Sequence, residues 1–441
     1  MAPQHSQCPQ CKYPPLRIGG IEFTTPIALA PMAGVTNAPF RDLCAEFSRQ
    51  GLPPDFVSAS RPGGTSGTLR GIEGMFVNEM ITAKALLMDS ARSWIMAQSG
   101  PGQTVRVLQL YGIVGADLAR AARELIARNL VDVIDLNFGC PVPKVTRKGG
   151  GAALPWKTAY FGDLIGQVVR AAQEASRAAR RGVDVPVTVK IRVGIDEAHE
   201  TLLDAGRAAQ DAGAAALTLH ARTTNQYYSG HSDWARIREL VDVVDIPVLG
   251  NGDVFSAQDA LEMFAQTGCA GIEIGRAVQG RPWIFREITA ALWGQPIPAG
   301  PTLGEIVAII LAHARGLVEH FGNEQAALRD MRKHVGWYLR GFNLGGATRA
   351  ELTRVETLDD LESRLHDLLQ SLDPITPYPE AAQGKHGRSR AQRHVKLPEG
   401  WLDTREIDAA AARALHLAGE DVTDPYAKSG ADGLSTDRLE S

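Results

Sequence analysis

Between about Leu16 and Trp293 the chain repeats one rhythm: a short aliphatic and β-branched run, a polar or glycine-rich loop, then an alanine-rich stretch with a helical apolar period. The clearest runs are IALA from Ile27, VRVLQL from Val105, VDVIDLN from Val131, VPVTVKIR from Val185, AALTLH from Ala215, IPVLGN from Ile246 and AGIEIG from Ala270. The later units are spaced by about one βα length, apart from a longer helix near residues 157–180. One more strand belongs between Ile27 and Val105, with DFVSAS from Asp55 and MFVNEM from Met75 as competing candidates. Runs that are apolar end to end fit a parallel sheet covered by helices, whether closed or open. The polar residues separate the two. PMAG after Ala30, Gln109, Asn137 with Cys140, Lys190, His220, Asn251 and Arg276 fall at or just after the C-terminal ends of their strands. A closed barrel gathers those ends on one face, whereas an open sheet spreads them along an edge. The pattern therefore predicts an α/β fold, a (β/α)8 TIM barrel over residues 16–295.

The period changes after Trp293. PIPAGP from Pro296 reads as a linker, and helical periods at about 303–320, 324–341 and 357–371 predict a smaller C-terminal all-helical domain over residues 300–373. Residues 1–15 form an N-terminal extension. Residues 374–441 read as a poorly ordered charged tail: 381–398 carries Lys385, Arg388, Arg390, Arg393 and Lys396 with no acid, and 403–440 holds nine acids against four bases. RPGGTSGTLRG, residues 61–71, has turn residues and almost no apolar period, and reads as an exposed loop.

At 441 residues, 44% of them hydrophobic, the chain can bury one large core and a smaller one, which excludes disorder as the dominant state. Its 46 basic and 50 acidic residues leave a net charge of −4, so a nucleic-acid contact requires a local basic face. No apolar run approaches the ~20 residues of a membrane span, and the opening MAPQHSQCPQCK has no hydrophobic h-region. A cytoplasmic protein with no membrane partner is expected, and no obligate protein partner is evident. Five cysteines, Cys8, Cys11, Cys44, Cys140 and Cys269, are too scattered for a disulfide framework and read as reduced thiols. One C-x-x-C without a second ligand pair is a weak zinc signal, so no metal is expected.

The sharpest local signal is NFGCPVPKVTRKGGGAAL from Asn137. Pro141 disfavours helical geometry at Cys140, so the thiol can project over the barrel mouth; the plainer alternative is a small buried hydrophobe. Glycines 149–151 allow close approach to a ligand or a reversal before the next helix. Lys190, inside an apolar run, requires an anionic or strongly polar partner, which is either a ligand or a structural carboxylate. His220, ending LTLHAR, carries little by itself. GNGD at 250–253 and GRA at 275–277 follow the last two strands, where barrels of this class commonly bind phosphate through backbone amides and helix N-termini, and Arg276 adds a fixed bidentate charge. These glycines also fit simple turns. No G-x-G-x-x-G follows a strand, which disfavours a dinucleotide in a Rossmann crevice. A phosphate site beside strands seven and eight, a cation from strand five and the Gln109 amide together fit one ligand, flavin mononucleotide (FMN), with a thiol over its face able to give a proton.

These residues resemble the tRNA-dihydrouridine synthases, FMN-dependent barrels with a C-terminal helical RNA-binding domain, and most of all the bacterial B-type members. The match runs over about residues 16–370 through LAPMAGVTNAPFR from Leu29, NEM at Asn78, LQLYG at Leu108, NFGCPVPKV at Asn137, VKIRVG at Val189, HARTTNQYYSG at His220, LGNGDV at Leu249, IGRAVQGRPWIF at Ile274 and RKHVGWYLRGF at Arg332. The resemblance implies that Cys140 gives a proton to C5 of a tRNA uridine while reduced FMN gives hydride to C6, with NADPH as the electron donor. It implies cofactor contacts from Pro31, Met32, Ala33, Gln109, Lys190, His220, Asn251, Gly252, Asp253, Gly275 and Arg276. Asn137 and Arg222 would face the uridine. Asn37 departs from the aspartate often seen after AGVT, Ala277 from a common glycine, and the loop over about 50–71 is longer than usual.

A base inside folded tRNA must leave its stack to be reduced, at a few kcal/mol that phosphate contacts offset. The helical domain is the expected grip. Arg329, Arg332, Lys333, His334, Arg340 and Arg349 are interleaved there with Trp337 and Tyr338, the aromatics assigned to the core and Arg332 with Lys333 to the substrate. The competing activity is that of an FMN barrel acting on a free pyrimidine, as in dihydroorotate dehydrogenase; a non-catalytic RNA-binding barrel is the other alternative.

Overall fold

A computed structural model describes residues 11–59, 69–379 and 394–420. Among the described residues there are twelve strands: β1 (Leu16–Ile18), β2 (Ile21–Phe23), β3 (Ile27–Leu29), β4 (Leu69–Gly71), β5 (Met75–Phe76), β6 (Ile81–Thr82), β7 (Val107–Tyr111), β8 (Val133–Phe138), β9 (Val187–Arg192), β10 (Ala216–His220), β11 (Val248–Asn251) and β12 (Gly271–Ile274). One parallel sheet runs in the order β5-β3-β12-β11-β10-β9-β8-β7-β6. A parallel bridge between Val77 and Val107 joins the end of β5 to β7 and closes eight strands into a barrel, with β6 as a short addition at the rim. Nearly every strand residue is buried, VLQLY of β7 completely, because helices cover the outside and side chains fill the inside.

The eighth strand is MFVNEM, not DFVSAS. Pro53 and Pro54 suit a helix start rather than a sheet interior, and Pro54–Ala59 forms a short helix with Asp55 in its first turn. The end of the expected 61–71 loop is also ordered: β4 pairs with β2, in register Ile21 with Leu69. Residues 61–68 lie outside the described residues. The β1–β2 hairpin packs Leu16, Ile18, Ile21 and Phe23 against Met75, Val105, Val107, Val133, Ala216 and Leu249, at the N-terminal ends of the strands. That end is plugged, and the C-terminal rim is the open one.

Helices Leu303–Phe321, Glu324–Tyr338 and Leu358–Ser371 occupy the periods read from the sequence, and a further helix, Gly346–Leu352, lies between the last two. The first opens on a capping box, in which the Thr302 amide donates to Glu305 at 2.7 Å and the Glu305 amide to Thr302 Oγ1 at 3.4 Å. It lies along helix Ala38–Gln50, whose Phe40 ring sits 5.4 Å from both His313 and His334. Asn37 caps helix Ala38–Gln50 by accepting from the Phe40 amide (3.2 Å), and its Nδ2 donates to Asp330 at 3.3 Å. An aspartate at 37 would face Asp330 with like charge, which gives this departure a local reason. Tyr338 is fully buried against Trp283, and Trp337 is half-buried, so the aromatics do serve the core.

His313 and His334 are fully buried, and burial, reinforced by Lys333, holds both below the usual imidazole range, His313 at about 3. In the unfolded chain they titrate near 6.5, so below that pH the unfolded state binds more protons. Their stabilisation is complete above about pH 6.5 and is lost as pH falls below it, by at most roughly 1.4 kcal/mol per pH unit for each histidine. Melting temperatures measured from about pH 7.5 to about pH 5 are expected to fall, and His334→Phe to flatten that slope. An unaltered slope in the variant would remove His334 from the cause.

The tail differs from expectation. Residues 394–415 are placed against the barrel, with Trp401 2% exposed, and a helix runs over Ala409–Glu420. This segment carries acids and bases throughout, but Val395, Leu397, Trp401, Leu402 and Ile407 give it enough apolar anchors to pack. Of the expected basic tail residues, Lys385, Arg388, Arg390 and Arg393 lie outside the described residues, as do Cys8 and most of the N-terminal extension.

Candidate active site

The Cys140 loop leaves β8 at the open rim. Asn137 Oδ1 accepts from the amides of Gly139 (3.2 Å) and Cys140 (3.0 Å), and the Cys140 carbonyl accepts from the Ala152 amide at 3.1 Å. These bonds fix the backbone on both sides of a half-buried thiol. The glycine triplet approaches protein rather than open space. Gly149 (φ 72°) lies against the outer atoms of the Trp401 indole, Gly150 faces the Tyr111 hydroxyl, and a Cβ on Gly151 (φ 53°) would sit 2.6 Å from the Cys140 carbonyl oxygen. Any side chain at 149 or 151 would displace this loop.

Inside the mouth, one network joins three strands. Asn137 Nδ2 donates to Gln109 Oε1 (2.8 Å), Gln109 Nε2 to Asp135 (2.7 Å), and Thr188 Oγ1 to the other Asp135 oxygen at 2.6 Å. Burial raises the Asp135 carboxyl above its usual range against these bonds and the nearby Lys190. Lys190 pairs with Glu273 and lies 3.4 Å from Asn251 Oδ1. Burial pushes its ammonium down to about 7, with Asp135 opposing. Asn251 Nδ2 in turn donates to the Glu273 carbonyl at 2.7 Å. The partner that a lysine in an apolar strand requires is thus a carboxylate of the barrel itself.

A ring of cations stands beside this network. Asp253 accepts from Arg222 (2.6 Å), Arg276 (3.1 Å) and the Ser232 amide (2.8 Å); burial opposes its ionisation, but these contacts hold it below the usual carboxylate range. Arg222 is fully buried and spends two further contacts on the Ser229 and Gly230 carbonyls. Arg192 donates to the carbonyls of Gly139 (2.8 Å), Thr223 and Tyr227 (3.0 Å each), so it ties the cysteine loop to the loop after β10. His220, surrounded by Arg192, Lys190, Arg222 and Arg276, is held neutral by burial and then by those charges. Its Nδ1, Arg222 Nη1 and Ser232 Oγ are buried without a hydrogen-bond partner. A Cβ on Gly275 would meet only the Ala30 Cβ, at 3.7 Å. Unpartnered polar atoms, a surplus of cations and backbone open to close approach suit an anionic ligand with further polar edges, and a flavin mononucleotide fits that donor set.

The turn after β3 completes the rim. Pro31, Met32 and Ala33 are half-exposed. The Gly34 amide donates to buried Glu79 at 2.8 Å, and Thr36 Oγ1 accepts from the Met32 amide at 3.1 Å. Lys333, paired with Asp330, reaches this turn: a Cβ on Gly34 would lie 3.9 Å from its ammonium. Arg332 does not join it and turns toward the Val355 carbonyl and Glu356. The structure brings together Cys140, Asn137, Gln109, Lys190, His220, Arg222, Asn251, Asp253 and Arg276. Sequence reasoning missed Arg192, Asp135, Glu273 and Tyr228, whose ring lies 4.8 Å from the Arg276 guanidinium. Arg192 was within reach: in VKIR it sits two residues after Lys190, on the same strand face.

The fold and site define a (β/α)8 barrel enzyme that presents a thiol and an anion-attracting rim on one face. The Dihydrouridine synthase (Dus) family model matches residues 28–373, and the chain belongs to that family. It is 47% identical over 390 residues to a "Probable tRNA-dihydrouridine synthase" of Mycobacterium tuberculosis, covering 88% of this chain and 92% of that protein. It is 49% identical over 381 residues to the protein of the same name in Mycobacterium leprae, covering 85% and 95%. "tRNA-dihydrouridine synthase B" of Pseudomonas aeruginosa is 36% identical over 345 residues, covering 78% and 92%. No described helix is long and apolar enough to cross a membrane.

Proposed function

We propose that this protein reduces uridines of tRNA to 5,6-dihydrouridine, using FMN held at the open rim and NADPH as electron donor. The observation that carries the reading is the placement of the Cys140 thiol on the same rim as the unpartnered His220 Nδ1 and Arg222 Nη1. Reduced FMN, when bound, supplies hydride to C6 of the uracil. Cys140 Sγ gives its proton to C5, held in place by Asn137 and the Ala152 amide. Arg276, anchored on Asp253, would hold the phosphate with the backbone of Gly252 and Gly275; Asn251 and His220 would bind the polar edges of the cofactor. Lys190 would lie toward its pyrimidine edge, where an anionic neighbour would oppose the burial that pushes its ammonium down to about 7. Pro31, Met32 and Ala33 line the ring, and Gln109 orders Asn137. Lys333, at the rim, takes a tRNA phosphate, and Arg332 a second one farther along the helical domain.

The test is dihydrouridine formation by the purified protein on tRNA from a strain lacking the modification, with NADPH, beside arms with free uracil and dihydroorotate. Product on tRNA alone and a yellow, NADPH-bleachable protein are expected. A colourless protein without product overturns the reading, and product on a free pyrimidine replaces the substrate.

A further inference from the structure

The C-terminal segment 394–408 grips both loops that form the thiol side of the site. Val395 donates its amide to Asn225 Oδ1 at 2.7 Å, in the loop after β10. Thr146 Oγ1, six residues after Cys140, donates to the Lys396 carbonyl at 2.7 Å. Trp401 donates through Nε1 to the Ala153 carbonyl at 3.0 Å, and its ring covers Gly149. Lys157, with no exposed surface, donates to the carbonyls of Thr404 (2.7 Å) and Glu406 (2.9 Å) from a position 5.0 Å from the Trp401 ring. Trp156 Nε1 also donates to the Thr404 carbonyl, at 3.0 Å. A buried ammonium committed to two carbonyls of one segment makes sense only with that segment in place.

The chain of contact from this segment to the thiol is short. The Trp401 ring rests on Gly149; two residues on, Gly151 packs on the Cys140 carbonyl and Cβ, and Ala152 donates to that carbonyl. At the other end, Asn225 lies between Thr223 and Tyr227, whose carbonyls hold Arg192, and Arg192 holds the Gly139 carbonyl. The backbone on both sides of Cys140 is therefore tied to this strap, by one route through Trp401 and by another through Asn225.

We propose that residues 394–408 form a strap that sets the position of the Cys140 thiol, with Trp401 as its positioning residue. The catalytic consequence rests on the proton-donor reading of Cys140; the effect on the thiol's accessibility does not. Trp401→Ala opens a cavity under Gly149 and releases the 149–153 turn, so the thiol becomes more accessible and less well aimed. Trp401→Phe keeps an aromatic ring in the strap but loses the outer indole atoms that meet Gly149 and the bond to Ala153.

The experiment is mass-spectrometric mapping of iodoacetamide alkylation in the full-length protein, with Cys11 at the opposite end of the barrel as internal reference, beside steady-state kinetics on tRNA. For Trp401→Ala, Cys140 alkylation is expected to rise ~10-fold relative to Cys11 and kcat to fall ~10²-fold with KM for tRNA retained, as for a reacting group displaced by about 1 Å. Trp401→Phe, with a smaller cavity, is expected to shift both by an intermediate factor. Thr146→Val, which removes one strap contact without a cavity, should shift both readouts in the same direction by a smaller factor, and it carries the test if Trp401→Ala does not fold. Alkylation of Cys140 unchanged in the folded variants overturns the strap. Faster alkylation with undiminished turnover keeps the strap and instead overturns the proton-donor role.

Discussion

Cys140→Ala is expected to bind flavin and to be reduced by NADPH as the wild type is, yet to lose ~10²–10⁴-fold in dihydrouridine formation, the range a positioned general acid contributes. The site explains why the loss should be this selective. The loop is held through the amides of Gly139 and Cys140 on Asn137 and through the Cys140 carbonyl on the Ala152 amide, all of which an alanine retains. The cations of the proposed cofactor site lie on β9 (Lys190, Arg192) and in the loops after β10 (Arg222) and β12 (Arg276), and none of them is altered. The flavin spectrum and its anaerobic bleaching by NADPH report the unaffected half of the reaction; single-turnover mixing of reduced enzyme with unmodified tRNA reports the other half. Product formed by the variant at the wild-type rate would leave Cys140 without its role. Asn137→Ala makes a companion, since it removes the acceptor of two loop amides and the donor to Gln109. It is expected to lower turnover by ~10-fold or more while the thiol itself remains.

The barrel was legible because its strands are apolar through their length while their C-terminal ends carry the unusual polar residues, a placement that only a closed sheet gathers. The candidate site was legible for the same reason. Within a strand the signal was weaker: Arg192 reads as the tail of an apolar run, and Glu273 as a lone acid in AGIEIG, until register sets Asn251 beside Glu273 and Asn137 beside Lys190. The β5 strand is two residues long, so no periodicity could favour it over DFVSAS. Glycines 149–151 announced close approach, but sequence does not say to what; the neighbours are an indole from 250 residues away, a tyrosine hydroxyl and the cysteine's own carbonyl. The strap was hidden by charge. A segment rich in Asp, Glu and Arg scores as solvated tail, although one buried tryptophan and a lysine beneath it suffice to dock it. This docking also bears on how the helical region can be probed. Removing everything after residue 303 would strip helix Leu303–Phe321 from Phe40 and Trp401 from Gly149 together, so point substitutions at Lys333 and Arg332 are the cleaner probes of RNA binding.

Lys190 poses the sharpest choice between structure and function, because its expected anion turned out to be Glu273, 1% exposed in the barrel interior. Lys190→Met leaves that carboxylate without its cation, and breaking a buried pair from one side costs ~3–5 kcal/mol, less whatever Glu273 recovers by taking up a proton. Glu273→Gln leaves an ammonium that burial already pushes down to about 7, and it is expected to cost less, since the amine can shed its charge and keep Asn251 as a partner. The double variant removes both charges and is expected to regain most of the stability lost in Lys190→Met, as measured by thermal unfolding of flavin-free protein. Flavin affinity then decides the role. If Lys190 serves the cofactor, Lys190→Met and the double variant both bind FMN at least ~10-fold more weakly in fluorescence titration, the equivalent of one charge-assisted hydrogen bond, despite their different stabilities. If the pair is purely structural, the double variant binds FMN as tightly as the wild type, and Lys190 leaves the cofactor site.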